Sequence, residues 1–277
     1  MSRHVWAIVS DLHCGSTLGL IPSEGVVLDD GGRYQPSEAQ RKLWHCWGQY
    51  AKAVGDTLQE GDKLSLALNG DLVDGDHHGT FQIVSKNLAV TQKAIALKSL
   101  VPLLTLDPVS IHVVRGTGAH SGQSGQFEED IAKELGAVQD PETGAYSRWS
   151  LEAKSNGALL WFNHHGRMGG RSWTRMTGPA TMAAEIVLDC ASHDERPPDV
   201  AVFSHCHQWG DTYDNFRTRV IQTGAWQLKT EHTHRIAPGK IPAIGGLILV
   251  CEDGKVEAQK VKFPWKRGKP WELPVGE

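Results

Sequence analysis

The sequence contains no uninterrupted apolar run near the ~20 residues that a membrane-spanning helix needs. Its first residues also lack the long apolar core and the small-residue cleavage site of a signal peptide, so none is expected. Basic residues are not in excess either, because 28 Lys and Arg stand against 32 Asp and Glu, a formal net charge of −4. Binding of an extended nucleic acid duplex normally requires a basic face. We therefore expect neither a membrane nor a long duplex as partner. The net charge does not exclude a small basic pocket for one phosphate group.

Cysteine is scarce and scattered, whereas histidine is abundant. The five cysteines form no C-x-x-C pair, and their odd number argues against a disulfide framework and favours a reducing, cytoplasmic environment. The fourteen histidines matter more, because imidazole is the commonest metal ligand in proteins and titrates near neutral pH. Abundance alone proves nothing, so the positions of these histidines have to decide.

Short aliphatic runs alternate with helical patterns over most of the chain. The runs that predict buried strands cover 5–10, 63–69, 111–115, 159–163 and 200–204, and the helical patterns cover 36–54, 88–104, 126–135 and 181–190. Such alternation predicts an α/β architecture. The last third changes to β patterns at 211–223 and 245–261, for which we expect antiparallel strands. We predict one domain over 1–277, with 263–277 as an extended C-terminal tail.

Polar motifs follow the predicted strands, and each motif carries Asp, His or both. In order along the chain they are Asp11-Leu12-His13, Gly70-Asp71-Leu72-Val73-Asp74, Arg115-Gly116-Thr117-Gly118-Ala119-His120, Asn163-His164-His165-Gly166-Arg167 and His205-Cys206-His207. In open α/β sheets, ligands bind in the crevice beyond the carboxyl ends of the strands. Carboxylates and imidazoles gathered there would repel or desolvate one another unless cations lay between them. The motifs together therefore predict a metal site.

Each motif taken alone has an ordinary structural explanation. Asp11 and His13 could be a helix cap and a surface histidine, and Gly70-Asp71 is common turn chemistry. His205 and His207 form a better pair, because alternate residues of an extended segment point the same way and can grip one cation. Cys206 between them would then point away. The specificity lies in the order of all five motifs at successive strand ends.

In this order the motifs resemble those of the calcineurin-like metallophosphoesterase superfamily, whose signature runs D-x-H, G-D-x-x-D, G-N-H-E, a His before Gly, and G-H-x-H. The resemblance covers about 5–207 and implies a four-layer α/β/β/α sandwich of two mixed sheets flanked by helices. It also implies a dinuclear centre of Mn, Fe, Zn or Ni, with Mn expected to serve in vitro. The third motif departs from the signature, because Thr117 stands where the family has Asn.

The resemblance carries roles to individual positions of this chain. One metal would be held by Asp11, His13 and His207, and the second by His165 and His205, with Asp71 bridging the two. His165 is preferred to His164 because Gly166 follows it. Thr117 would bind the second metal through its hydroxyl or leave that place to water. Asp74 would orient a neighbouring ligand, and His120, displaced from its usual place, would be the catalytic histidine.

The implied activity is hydrolysis of a phosphate ester by a metal-bridging hydroxide, with His120 protonating the leaving oxygen. Arg167 and Arg115 are candidates for binding the phosphate, since guanidinium pairs with it in a bidentate manner. His77 and His78 could contact substrate or be plain loop residues. Trp173 and Trp209, which follow ligand motifs, could stack on a nucleobase.

Several substrate classes stay open. A phosphodiester or nucleotide-like small molecule is favoured, and a phosphomonoesterase or protein phosphatase is the alternative. A further alternative from another class is a catalytically inactive scaffold with the same fold, but drift of that kind would first remove the ligand residues, which are still present here.

Overall fold

The computed structural model describes residues 3–77 and 79–266, which contain two main β-sheets and a short ribbon. The strands are β1 (His4–Val9), β2 (Val26–Val27), β3 (Arg33–Tyr34), β4 (Lys63–Asn69), β5 (Ser110–Val114), β6 (Ser147–Arg148), β7 (Ser150–Ser155), β8 (Ala158–His165), β9 (Val200–Ser204), β10 (Gly210–Asp211), β11 (Arg219–Gln222), β12 (Ile244–Glu252) and β13 (Lys255–Phe263). The helices are α1 (Glu38–Thr57), α2 (Lys93–Leu104), α3 (Gly118–Ser121), α4 (Gln126–Glu134), α5 (Thr177–Ser192) and α6 (Glu231–Ile236).

Both main sheets are mixed. The first has the order β13-β12-β1-β4-β5-β6, in which β1, β4, β5 and β6 are parallel, β12 is antiparallel to β1, and β13 is antiparallel to β12. The second has the order β10-β11-β9-β8-β7, with β8, β9 and β11 parallel. The β12–β13 hairpin turns at Asp253 and Gly254, which have φ of 50° and 77°, as a tight two-residue hairpin turn requires.

The side chains of β1 show why the sheets lie in the middle of the molecule. Val5, Ala7 and Val9 join a core with residues of α1 and α2, whereas Trp6 and Ile8 face a second core shared with β8 and β9. Both faces of the strand are therefore buried, which explains its continuous apolar run. A third core lies between α5 and the outer face of the second sheet. The layers follow the order α/β/β/α, so the predicted fold class is confirmed.

Local signals explain several helix boundaries. Ser37 caps α1 in a capping box with Gln40, whose side chain accepts from the Ser37 N–H at 3.2 Å. The predicted helix 88–104 begins instead with a π-helical turn, Leu88–Gln92, which continues into α2. Within the described residues, no helix combines the length and apolarity that crossing a membrane would take.

The last third departs from the predicted pattern in two places. The expected strand 211–223 is divided into β10, a 3₁₀ turn at Tyr213–Asn215 and β11. Helix α6 was not predicted, although Thr230 caps it by accepting from the Thr233 N–H at 3.2 Å. The start of the predicted tail, Phe263, is the last residue of β13, and 267–277 lie outside the described residues.

Candidate metal centre

The candidate ligands lie in tight turns just after the strands, and five of them adopt left-handed backbone conformations. The five residues are Asp11 (φ 54°), His13 (45°), Asp71 (54°), His205 (70°) and His207 (50°). Such conformations are uncommon for residues other than glycine and cost free energy. Backbone hydrogen bonds between the first two turns hold them, including Asp11 N–H to Gly70 O at 2.9 Å and His13 N–H to Asp71 O at 3.0 Å. A concentration of strained residues at one edge of the sheets indicates a functional site.

The turn geometry changes the explanation for the last motif. Because His205 and His207 are left-handed rather than extended, they do not point the same way by strand alternation. They contribute to two different groups of side chains, and Cys206 between them donates its thiol to Gly166 O at 3.4 Å. The pair is thus divided between the groups, as the resemblance implied, but by bends rather than by an extended segment.

The first group consists of Asp11, His13 and His207. His207 Nε2 lies 3.2 Å from Asp11 Oδ1 and 3.3 Å from His13 Nε2, so two imidazole nitrogens and one carboxylate oxygen converge. Burial alone would raise the pKa of Asp11, but the His207 and His164 imidazoles hold it at about 2. Asp11 Oδ1 is buried and accepts no hydrogen bond among the described residues. An ionised oxygen without a hydrogen bond, facing two imidazole nitrogens, is suited to a cation.

The second group consists of Asp71, His164 and His205, with Thr117 among them. His164 Nε2 lies 3.1 Å from Asp71 Oδ2, and Thr117 Oγ1 lies 3.1 Å from His205 Nδ1. Burial lowers the pKa of His164, but the adjacent Asp71 carboxylate outweighs it and raises the value to about 10. The pKa of Asp71 lies well below its ordinary value, because His164 more than offsets the effect of burial.

The backbone prepares Asp71 and His164 for their positions. Thr117 N–H donates to Asp71 Oδ1 at 2.7 Å, and His164 Nδ1–H donates to Asn69 O at 2.7 Å. The second bond leaves His164 Nε2 as the atom directed at the group, a common arrangement for metal-binding histidines. Gly116 is required here, since a Cβ at that position would collide with the Asp71 carboxylate.

His164 takes the place that the sequence assigned to His165. Side chains of β8 alternate, so that Leu160, Phe162 and His164 are buried while His165 is exposed. His165 belongs to none of the candidate ligand groups among the described residues and lines a depression on the outer face of the second sheet. The sequence-based preference for His165 rested on the glycine that follows it. The alternation of side chains along β8 instead directs His164 toward the candidate ligands.

Asp74 and His120 lie beside the first group. Asp74 Oδ1 is 3.1 Å from His13 Nδ1 and accepts from Gln227 Nε2 at 3.1 Å, which orients His13 with its Nε2 toward the group. Helix α3 carries His120, whose Nδ1–H donates to Asp74 O at 2.5 Å and whose ring meets His13 edge-on at 4.5 Å. Burial, and secondarily His13, lower the pKa of His120 to about 4.

The two arginines proposed from the sequence lie elsewhere. Arg115 donates to Ser147 Oγ at 2.8 Å, pairs with Glu129 at 3.4 Å and covers the Trp149 ring. Arg167 is exposed and pairs with Glu185 at 3.2 Å. Among the described residues, neither lines the cleft above the two groups. Neither guanidinium is therefore placed to bind phosphate at the two groups. The sequence motifs place both arginines near candidate ligands along the chain, but they do not specify the direction of the side chains.

The aromatic candidates are also displaced. Trp173 is 80% exposed and Trp209 packs against the core between the sheets, and neither is among the described residues that line the cleft. His77 lines the cleft, with its ring 4.4 Å from that of His120. His78 lies outside the described residues.

Two buried polar residues near the site were not predicted. Gln227 follows Trp226, whose N–H donates to Asp11 O at 3.0 Å. Glu128 of α4 accepts from Gly116 N–H at 2.6 Å and Leu72 N–H at 3.3 Å, and burial raises its pKa to about 7. The sequence offered one indication that Glu128 is buried, because it lies three residues before Ile131 and therefore on the same face of α4.

An open cleft of about 670 Å³ leads to both groups. Its floor contains Asp71, Thr117 and His120, and its outer walls are the segment 79–82 and helix α6. This volume lies within the range of about 300–1,000 Å³ that is usual for small-molecule sites. The two ligand groups are thus accessible to a small substrate.

No family model matches the sequence, and no curated protein does. Solved structures with similar folds include a dimetal phosphatase from Danio rerio (10% identity, TM-score 0.44, covering 94% of this chain and 99% of that one). Others are a predicted phosphoesterase from Streptococcus pneumoniae (10%, TM-score 0.37, 94% and 91%) and Vps29 from Chaetomium thermophilum (10%, TM-score 0.40, 94% and 96%).

The resemblance therefore has two independent supports within the chain. The five motifs stand in the signature order, and the α/β/β/α sandwich brings their Asp and His residues into two adjoining groups. In motif order and in fold, this chain resembles the calcineurin-like metallophosphoesterases.

Proposed function

We propose that this protein hydrolyses phosphate esters with two metal ions bound at the adjoining groups. The observation that carries the proposal is the pair Asp11 and Asp71, two fully buried carboxylates whose pKa values are lowered and which face imidazole nitrogens from both sheets. Burial of like charges is costly without compensation. A cation at each group would supply it, and the mixed N and O donors suit Mn, Fe, Zn or Ni.

The ligand assignment follows the geometry. Asp11, His13 and His207 would hold one ion, and Asp71, His164 and His205 would hold the other, with the Thr117 hydroxyl as a further oxygen donor near the second. Asp71 is the candidate for a shared ligand, because it also belongs to a group with His13 and His120. When bound, such ions stabilise charge on phosphoryl oxygens and lower the pKa of an attacking water.

His120 is suited to contact substrate or water as an acceptor. Its Nδ1–H donates to Asp74 O, so in the neutral ring the lone pair is on Nε2. A lowered pKa of about 4 keeps the ring neutral near pH 7. Protonation of the leaving oxygen, the role assigned from sequence, would need a protonated ring, so we propose that His120 accepts a hydrogen bond or a proton instead.

The substrate we favour is a small phosphodiester or nucleotide-like ester, handled in a cytoplasmic setting. The cleft volume supports a small molecule, and the net charge of −4 weighs against a long duplex. A phosphomonoesterase or protein phosphatase would use the same ligand groups. An inactive scaffold is less well supported, because the ligand groups are assembled and open to the cleft.

The test measures metal content and turnover together. Purified protein should contain about two ions per chain by elemental analysis and hydrolyse bis(p-nitrophenyl) phosphate or p-nitrophenyl phosphate with added Mn²⁺. Asp71→Asn should lose bound metal and at least about 100-fold in kcat/KM, because a carboxylate with two oxygens near both groups is replaced by a neutral amide. Asp189→Asn, at an exposed position of α5, is the matched control. Absence of metal and of turnover on both esters would reject the proposal.

A further inference from the structure

An exposed phenylalanine forms part of the cleft wall. Phe81 exposes 78% of its surface, and among the described residues that line the cleft it is the one large hydrophobic side chain. An aromatic ring left in water at the mouth of a polar cleft gains stability when a ligand covers it. Single exposed hydrophobic residues are common on protein surfaces, so exposure alone does not identify Phe81 as a binding residue.

The backbone beside Phe81 is firmly held. Gln82 O accepts from Thr17 N–H at 3.0 Å and from Ser16 Oγ at 3.1 Å, and Val84 N–H donates to Gly15 O. The segment Gly15–Thr17 is separated from His13 by Cys14 alone, so the position of Phe81 is tied to that of a candidate ligand. Because this backbone is already ordered, stacking of a ligand on Phe81 would cost the conformational entropy of the side chain but not that of the loop.

The other outer wall, helix α6, is polar and is connected to the same segment. Gln82 Oε1 accepts from Glu231 N–H at 3.0 Å, which joins the 79–82 segment to α6. Helix α6 contributes His232, Thr233 and Arg235 to the cleft, and Arg235 forms an ion pair with Glu231 at 3.7 Å. A ligand ring between these walls would meet an aromatic face on one side and hydrogen-bonding groups on the other.

We propose that the cleft binds nucleotide esters, with the nucleobase stacked on Phe81 and its phosphate at the metal groups. This specificity rests on the proposed function for its reacting phosphate. A nucleobase combines a flat ring with polar edges, which matches both walls. A purely apolar aromatic ring would make no use of the hydrogen-bonding groups of α6, and an aliphatic phosphate ester would leave Phe81 uncovered.

The test compares two ligands that differ only in the base. Isothermal titration calorimetry would measure Kd for AMP and for ribose 5-phosphate with the protein as purified. We expect AMP to bind at least about tenfold more tightly, and Phe81→Ala to remove that ratio while leaving Kd for ribose 5-phosphate unchanged. Phe81→Trp should restore the ratio. Trp173→Ala, equally exposed but outside the cleft lining, should keep it.

Failure of this proposal and of the proposed function would look different. Suppose that the protein hydrolyses the chromogenic esters. Base recognition would then be overturned, and hydrolysis left standing, by any of three results: equal Kd values for AMP and ribose 5-phosphate, no binding of either ligand, or a Kd ratio that persists in Phe81→Ala. A ratio that depends on Phe81, in a protein without metal or turnover, would support base recognition and reject hydrolysis. Because Phe81 is exposed, its variants should unfold at the wild-type temperature, which thermal denaturation checks.

Discussion

Buried or partly buried histidines lie at both ends of the parallel strands, but their surroundings differ. At the carboxyl ends of the strands, His13 and His164 lie beside carboxylates, and their pKa values are raised despite burial. Near the amino ends, His4 and His112 have no carboxylate contact among the described residues, and burial lowers both pKa values, that of His112 to about 4. The carboxylates at the carboxyl ends therefore favour a cation at the imidazoles, a proton or a metal ion, whereas the amino ends favour neutral rings.

The amino-end histidines are joined by hydroxyls instead. His4 Nε2 lies 2.7 Å from Ser65 Oγ, Ser65 Oγ lies 2.7 Å from Ser110 Oγ, and Ser110 Oγ lies 3.1 Å from His112 Nε2. Each hydroxyl has one hydrogen and one of the two is used between the serines, so at most one of the two rings can accept a hydrogen bond from this chain and the other must donate. A cluster of histidines alone therefore does not indicate a metal site, whereas buried carboxylates beside them do.

The largest effect should separate two adjacent histidines at the carboxyl end. His164→Gln should lower metal affinity by about 100-fold or more, because it removes an inward nitrogen 3.1 Å from Asp71. His165→Gln, on the outward face of the same strand, should change metal content and kcat/KM less than about twofold. Elemental analysis and ester hydrolysis measure both. Equal losses in the two variants would contradict the assignment made from the alternation of side chains along β8.

A smaller effect should appear in thermal stability. Removing metal with a chelator should lower Tm by about 5 °C or more and adding Mn²⁺ should restore it, since an ion at about 100 times its Kd stabilises the folded state by about 2.7 kcal/mol. The shift should be the same in His112→Gln, whose substitution lies at the other end of the sheet. Loss of the chelator-induced Tm shift in His112→Gln would show that the stabilising metal binds at the amino end instead.

Much of the candidate site could be predicted from the sequence because most of its candidate ligands follow strands. Asp11, His13, Asp71, His205 and His207 all reach the groups at the predicted edge, since parallel strands deliver their ends to one side of a sheet. The choice between His164 and His165 was also available, because counting alternate residues from the apolar Leu160 and Phe162 gives His164 the buried face.

Other parts of the site depend on contacts between residues far apart in the chain. Phe81 becomes a cleft wall only because its loop bonds to Gly15–Thr17 and to α6, and no local pattern specifies those partners. Arg115 follows a strand as the ligands do, yet Ser147 and Glu129 take its guanidinium. The lowered pKa of His120 follows from burial and from His13, which sequence spacing does not provide.

The smallest effect concerns the pH dependence of stability at the amino end. The pKa of His112 is lowered from 6.5 to about 4 by burial and by Arg148 and His4, so between these values the unfolded chain binds a proton that the folded chain does not. Stability is therefore lost as pH falls below about 6.5 and the loss is complete near pH 4. His112→Gln should reduce the decrease in unfolding free energy between pH 7 and pH 5 by about 2 kcal/mol, measured by urea denaturation. His45→Gln, on the exposed side of α1, should leave the decrease unchanged, and an equal reduction in both variants would count against a special environment for His112.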